Sequence, residues 1–441
     1  MIPGVLELAS RTKYGMTSRN VPIYLFRPLN QKLAPCIVGC SKNLNKNVLA
    51  LVEVPHWTEN KLSRGNLNRI LGECGDFKAE NEALTYQYRR KSWPAGFQYS
   101  VPPSSTDRHI IAGRSFNIDP PDCRDVDDVF TIGDDGYYYI TIADVAEWMK
   151  VNPTSFQNAH DLGQTLYSIS GRIIQPMIPF EKECSLLPST SLNTGISLRF
   201  RIDGNKISDP VFLKTLLRND MAYTYETIYH SPYVSTLRDI NRIISGEDSN
   251  DSHDWIANLM ILYNTEAAKV LKQKSKGILR HHESPDMEKL EIFKHLGVDA
   301  KFLAFKSAKY VPATFPAHHW GLGTDTYCHA TSPIRRFADI VNQFVLKNEE
   351  IPAHVDINFL NNREKELKQY SRDSFFLHEI EFSKSRKVGG IILNDHRVWV
   401  PSWKRIVTCR TDFKAGTQGV LNFSLDMTQS TWKKRMVFRF C

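Results

Sequence analysis

Asp119-Pro120-Pro121-Asp122-Cys123-Arg124-Asp125-Val126-Asp127-Asp128 places five aspartates in ten residues. Two prolines forbid a continuous helix, because proline lacks the N–H and its ring collides with the preceding turn. The segment therefore reads as a loop following a short strand, Ser115–Ile118. Apolar residues on both sides (Phe116, Ile118; then Val129, Phe130, Ile132) point to burial rather than a solvated tip. Crowded carboxylates raise one another's pKa and stay ionised only in water or beside cations, and buried charge needs a partner. Short Asp side chains on a stiffened loop suit Mg²⁺, which takes oxygen ligands at tight octahedral distances and keeps several waters. Such a water is a natural nucleophile for a phosphodiester. The same residues also fit an acidic surface loop. A calcium EF-hand is excluded: counted from Asp125, it needs an oxygen ligand at 129 and glycine at 130, where Val129 and Phe130 stand.

A second constellation lies downstream, His329-Ala330-Thr331-Ser332-Pro333-Ile334-Arg335-Arg336-Phe337-Ala338-Asp339. Ser332 fits an N-cap and Pro333 a first helical position, so Arg335 and Arg336 are expected in the first turn of a helix over Ser332–Lys347. Its apolar face would be Ile334, Phe337, Val341 and Phe344. Free backbone N–H groups and guanidinium charge together bind phosphate, and an arginine there can stabilise a phosphoryl transition state. A capped helix with surface arginines is the plainer alternative.

Around these segments the chain reads as α+β, a mixed α/β middle domain flanked by small OB-like β-barrels. Residues 1–100 hold short β-rich stretches (Val21–Phe26, Cys36–Gly39, Val48–Val54) parted by Pro, Asn, Gly and Lys, the spacing of a five-stranded barrel. A linker from Trp93 to His109 carries Pro94, Pro102, Pro103 and Ser104-Ser105 and sets a boundary near 100. Residues 101–385 mix strands (Tyr137–Ile142, Ile196–Ile202) with helices at Asp254–Lys276 and Asp356–Lys384. Residues 386–441 turn β-rich again, a short second OB-like barrel. Its aromatics (Trp399, Trp403, Phe413, Phe423, Trp432, Phe438, Phe440) alternate with Lys and Arg, which suits stacking on unpaired bases, although a domain so small needs most of them for its core.

Of 441 residues, 41% are hydrophobic and 24% charged, enough apolar material for several cores in a multidomain protein. No run is apolar enough to cross a bilayer and Met1–Ser10 lacks the features of a signal peptide, so an intracellular location, cytoplasmic or nuclear, is expected. Eight scattered cysteines without a C-x-x-C pair read as free thiols. His281-His282, His318-His319 and Cys328-His329 lack the partner spacing of a zinc site and are assigned to packing or hydrogen bonding. The net charge is +8, unevenly spread. Residues 1–100 hold 14 Lys/Arg against 7 Asp/Glu, and 384–441 hold 12 against 3, around an acidic middle. Basic ends and an acidic centre suit a protein that grips a polyanion and holds cations between.

Taken together, the two constellations resemble the RNB (ribonuclease II) family, whose signature is I-D-P-x-x-x-x-D-x-D-D followed by G-L-x-x-Y-x-x-x-T-S-P-I-R-R-[YF]-x-D. Here they stand as Ile118-Asp119-Pro120, Asp125, Asp127-Asp128, then Gly321-Leu322, Tyr327, Thr331 to Phe337 and Asp339. Tyr14 to Tyr24, and Arg64-Gly65 to Leu71-Gly72, resemble the second cold-shock barrel of the eukaryotic, exosome-type branch. Ala143-Asp144-Val145-Ala146, Tyr223-Thr224-Tyr225-Glu226 and Leu279-Arg280-His281 resemble further landmarks. The resemblance covers about residues 10–385 and includes no first cold-shock barrel and no endonuclease domain.

It implies a hydrolytic 3′-to-5′ exoribonuclease that releases nucleoside 5′-monophosphates from single-stranded RNA with a free 3′ end. By the same resemblance, Asp119, Asp125, Asp127 and Asp128 bind Mg²⁺ or Mn²⁺, with Asp127 and Arg335 catalytic. Tyr225, Thr331, Ser332 and Arg336 would contact RNA, Tyr225 by stacking on the last nucleotide. Two departures stand out: Asn342-Gln343 replaces the usual His-Arg, removing a positive charge, and Ser371 stands where an acidic residue is expected. Two rivals are an RNA-binding protein of this fold without activity and a metallohydrolase of small phosphate esters. The four retained aspartates weigh against the first, and the basic ends against the second.

Overall fold

The computed structural model describes residues 1–441 except Asn43, Asn60, Ser104, Ser105, 296–305, Lys384 and Ser385. The expected linker residues Ser104-Ser105 and the expected helix end Lys384 lie outside the described residues.

The N-terminal barrel closes from strands Ile2–Leu6, Ile23–Pro28, Cys36–Gly39, Ser63–Glu73 and Val48–Glu53, in that spatial order. Phe26, Cys36, Val38, Val48, Ala50 and Val52 fill it. Three of these strands were legible as β-rich runs. The helix Phe77–Tyr88 follows, capped by the Asp76 carboxylate on the Ala79 N–H.

A seven-stranded sheet forms the centre, in the order Met221–Tyr223, Gly113–Ile118, Asp128–Gly133, Tyr138–Ala143, Asn193–Asp203, Lys206–Leu217, His109–Ile110. Alternation along its strands separates two cores. Phe116, Ile118, Phe130, Ile140 and Leu198 pack on the helix Ser252–Lys274. On the opposite face, Val129 and Tyr139 meet the helices Val145–Val151, Pro153–Leu162 and Phe337–Leu346. The linker is pinned to this body: Tyr99 packs edge-on to Trp148 and Phe180, and the Ser100 N–H donates to Asn152 Oδ1.

The C-terminal segment forms a five-stranded antiparallel sheet from Lys387–Asn394 to Met436–Phe440. Among the described residues its edge strands, Arg405–Thr408 and Met436–Phe440, do not pair with each other, so the sheet stays open. Trp399, Phe423 and Trp432 are buried in it and Phe413 is exposed, so core filling takes most of the aromatics. Its core continues into Leu84 and Tyr88 of the N-terminal helix. A buried ion pair of Arg435 with Glu80 joins the same two elements.

Among the described residues no helix is long and apolar enough to cross a membrane. All eight cysteines are free thiols. The paired histidines serve the backbone: His281 Nδ1 accepts from the His318 N–H and His282 Nδ1 from the Gly321 N–H.

Candidate active site

The acidic loop is the connection of a hairpin. Gly113–Ile118 and Asp128–Gly133 pair antiparallel with Phe116 opposite Phe130. The pairing ends there, and beyond it the first strand runs beside Met221–Tyr223, with the Asp119 N–H donating to the Tyr223 carbonyl at 3.1 Å. The Ala143 N–H donates to the Asp127 carbonyl at 2.9 Å and extends the sheet into the loop.

Each aspartate has its own setting. Asp119, partly buried, accepts from Asn117 Nδ2 at 2.8 Å. Burial pushes its carboxyl up, and the Asn117 bond pulls against that. Asp125 accepts from the Tyr167 hydroxyl at 2.8 Å. Asp127 is 5% exposed and accepts from the Ile334 N–H at 3.0 Å. Burial pushes Asp127 well up, against the nearby Arg335 charge. Asp128 is partly exposed but set among Phe116, Ile118, Phe130 and Met260. Burial, then the charge of Asp119, pushes it up to about 7. Asp122, exposed with φ +62°, only turns the loop.

The arginine segment differs from its expected form. Ser332–Arg336 makes a single turn, with the Arg335 and Arg336 N–H groups both on the Ser332 carbonyl, and the helix runs only over Phe337–Leu346. The reason is a competing strand-like contact. Arg336 bridges to Gln164, the Thr165 N–H donates to the Arg335 carbonyl, and the Phe337 N–H donates to the Gly163 carbonyl. Arg336 is thereby held extended, at φ −134° and ψ 124°, and cannot join the helix.

This turn sorts the two arginines. Arg335 remains 47% exposed, its Nε 3.7 Å from Asp127 Oδ2 and its Nη2 bonded to Ser332 Oγ at 3.1 Å. Arg336, 18% exposed, is ion-paired at 2.8 Å with Asp339, which is sealed from solvent. Ser332 and Thr331 are buried and bonded internally, the Ser332 N–H to Asp339 and Thr331 Oγ1 to Asn264 Nδ2. Tyr225 stacks on His253 with ring centroids 3.9 Å apart. Its segment lies beside the loop, where the Asp119 N–H donates to the Tyr223 carbonyl at 3.1 Å, and burial, then Asp119 and Asp128, pushes its phenol up to about 12.

Asn342 and Gln343 are buried amides. Asn342 clamps the Ile278 N–H and carbonyl, and Gln343 clamps the Ala146 N–H and the Ala143 carbonyl. Ser371 is exposed.

Sequence reasoning missed two neighbours of the loop. Tyr167 holds Asp125, and burial with the Asp125 charge keeps its phenol protonated as a donor. Glu181 is pushed up to about 7 by burial and then by Asp125. Neither lies in a dense acidic or basic run, so only the folded arrangement reveals them.

The donor set is chemically suited to a hard dication. Carboxylates held up in pKa by burial are ionised most readily when a cation supplies the missing counter-charge, and Arg335 is the cation that acts on Asp119, Asp127 and Asp128 alike. Among the described residues no three His, Cys, Asp or Glu side chains gather into a metal cluster. Mg²⁺ does not require one, since it is commonly held by one or two carboxylates, waters and substrate phosphate.

Comparison with known proteins bears on the same residues. The RNB domain family matches residues 108–231 and 233–349, and the Dis3-like second cold-shock domain matches 23–89. The exosome complex exonuclease dis3 of Schizosaccharomyces pombe is 23% identical over 452 residues, covering 78% of this chain and 45% of the relative. Ribonuclease R of Aquifex aeolicus is 25% identical, covering 80% and 64%. The chain thus spans about half to two thirds of the length of these relatives. The apo form of Mycoplasma genitalium RNase R superimposes with a TM-score of 0.77 at 16% identity, over 100% of this chain and 90% of that one. Yeast Ssd1, a pseudonuclease, superimposes with a TM-score of 0.69 at 14% identity, over 96% and 67%. With the domain match alone spanning more than half of its residues, and both constellations inside it, the chain belongs to the RNB family.

Proposed function

We propose that the chain is a metal-dependent 3′-to-5′ exoribonuclease acting on single-stranded RNA. The observation that supports this most is the meeting of the acidic loop with the arginine turn, in which Asp127 receives the Ile334 N–H and stands beside Arg335. Carboxylates able to hold cations and an exposed guanidinium fork thus share one place, as hydrolysis of a phosphodiester requires.

In this reading Asp119, Asp125, Asp127 and Asp128 would hold Mg²⁺ or Mn²⁺. When bound, the cation supplies an ionised water and a positive charge at the phosphate. Arg335 offers two parallel N–H donors to the phosphate oxygens and meets the charge that builds there. Tyr225, beside the loop, stacks the last base and orients it. Water adds to phosphorus and the bond to the preceding O3′ breaks. That oxygen takes a proton, and a nucleoside 5′-monophosphate leaves. Arg336, Ser332 and Thr331 contribute by holding the turn, with any RNA contact made through the backbone they shape.

A second reading, an RNA-binding protein of this fold that does not cleave, is favoured by one observation: among the described residues no three carboxylates gather into a cluster. One assay decides. A 5′-labelled oligoribonucleotide with Mg²⁺ should shorten stepwise from its 3′ end. Internal cuts contradict the exonucleolytic reading, and an intact strand that binds the protein supports the second.

A further inference from the structure

Asn117 and Asn219 are buried amides behind the acidic loop, 3% and 1% exposed, and belong to neither constellation. Asn117 Nδ2 donates to Asp119 Oδ2 at 2.8 Å. Asn219 Nδ2 donates to Asn117 Oδ1 at 2.8 Å and to the Leu186 carbonyl at 2.7 Å. Asn219 Oδ1 accepts from the Met221 N–H at 3.3 Å.

The direction of this chain is forced. A backbone carbonyl only accepts and a backbone N–H only donates, so the Asn219 amide has one orientation. That orientation offers Asn117 a donor, turns Asn117 Oδ1 towards it and leaves Asn117 Nδ2 for the carboxylate. The Ser185-Leu186 segment that accepts from Asn219 also holds the other end of the loop. The Leu186 N–H donates to the Val126 carbonyl at 2.9 Å, and the Val126 N–H donates to Ser185 Oγ at 2.9 Å. Val126 stands between Asp125 and Asp127. A continuous path of hydrogen bonds therefore runs from Asp119 through Asn117, Asn219 and Leu186 to Val126, and ties the two ends of the loop to the same residue of main chain.

We propose that Asn117 and Asn219 are positioning residues that set Asp119 against the Asp125–Asp128 carboxylates for a divalent cation. This rests on the metal-dependent reading above. Mg²⁺ and Mn²⁺ tolerate little error in ligand placement, and partners behind ligand carboxylates govern metal affinity by about ten- to a hundredfold. Because the two amides act in series, removing either breaks the same path.

The test is Mn²⁺ binding to RNA-free protein, read from the loss of the free-ion paramagnetic resonance signal. It compares wild type, Asn219→Ala, Asn117→Ser and the double variant. Asn117→Ser gives Asn219 a hydroxyl to donate to but stops short of Asp119, so it tests the path even where Asn219→Ala fails to fold. The Mn²⁺ dissociation constant should rise about tenfold in each single variant and no further in the double, with RNA affinity in chelator unchanged. Wild-type Mn²⁺ affinity in folded Asn117→Ser, or losses that multiply in the double variant, overturns the positioning role and leaves the nuclease reading standing. Wild-type protein that binds no Mn²⁺ overturns that reading and the proposal together.

Discussion

The Ile334 N–H donates to Asp127 Oδ1 at 3.0 Å across 207 residues of sequence. A buried carboxylate and a main-chain donor from the arginine turn thus hold each other, and the bond fixes where Arg335 begins. Pro333 precedes Ile334 and has no N–H of its own, so the Ile334 N–H is the first donor the turn presents after Ser332. The loop and the turn form one unit, and changes in either are expected to act on the other.

Arg335 and Arg336 should separate cleanly on mutation. Arg335→Lys keeps charge but loses the planar fork, so turnover should fall on the order of tenfold to a hundredfold while RNA affinity barely changes. Arg336→Ala leaves Asp339 charged, buried and unpaired, which should cost about 3–5 kcal/mol of stability. Single-turnover kinetics and denaturant melts measure the two. A stable Arg336→Ala protein with no activity, beside an active Arg335→Lys, would reverse the assignment.

The stability of the chain should be sensitive to acid through Asp144. Burial raises its carboxyl, but the charges of Lys347 and Arg108, bonded to it at 3.1 and 2.7 Å, outweigh burial and hold it below the usual range. A carboxyl lowered in the folded state stabilises above its unfolded pKa, about 3.9, and that contribution is lost as pH falls through the folded value. Asp144→Asn should therefore melt lower than wild type at pH 7, with the gap narrowing below pH 4. A gap independent of pH would mean that packing, not charge, holds Asp144.

The alternation of apolar residues with Pro and Gly breaks made the barrel strands Cys36–Gly39 and Val48–Glu53 legible, and density of charge made the acidic loop legible. What one chain position owes to another far away was not. Arg335 and Arg336 are neighbours of identical type, and only the contact with Gly163–Thr165 turns one outwards and the other in. Sequence rules placed Ser332 as an N-cap because its local pattern is right, yet the tertiary bridge outweighs the cap and delays the helix to Phe337. Asn342-Gln343 read as a lost charge, whereas both side chains are spent on backbone groups 64 and about 200 residues away. Tyr167 and Glu181 carry no local signal because they meet the loop from elsewhere in the chain, and Asn117, although two residues from Asp119, takes its orientation from Asn219, 102 residues away.

Exposed basic residues of the C-terminal sheet should carry part of the RNA affinity. Deleting 386–441 is a poor test, because it would uncover Leu84 and Tyr88 and strand Glu80 without Arg435. Replacing exposed Lys404, Arg410, Lys414 and Lys434 by Gln leaves that core intact. Each lost phosphate contact should flatten the slope of log affinity against log salt by about 0.7 on single strands. An unchanged slope in the fourfold variant would exclude this sheet as an RNA clamp.

Asp127→Asn should abolish hydrolysis while leaving fold and RNA binding in place. Asn has nearly the shape of Asp, and its Oδ1 can still accept the Ile334 N–H, so the junction of loop and turn survives. What goes is a negative charge beside Arg335 that, in the metal-dependent reading, would face the cation. Losing that charge weakens cation binding and the activation of its water, effects worth several kcal/mol at the transition state, so turnover should fall roughly a thousandfold or more. Stability should hold or rise, because burial already disfavours the Asp127 charge. RNA affinity in chelator should hold too, since relieving carboxylate repulsion does not hinder a polyanion. Melting temperature, RNA affinity in chelator and mononucleotide release in Mg²⁺, measured on one preparation, separate the outcomes. A folded variant that still releases mononucleotides removes Asp127 from the chemistry, and a folded variant that no longer binds RNA means that the acidic loop places RNA rather than metal.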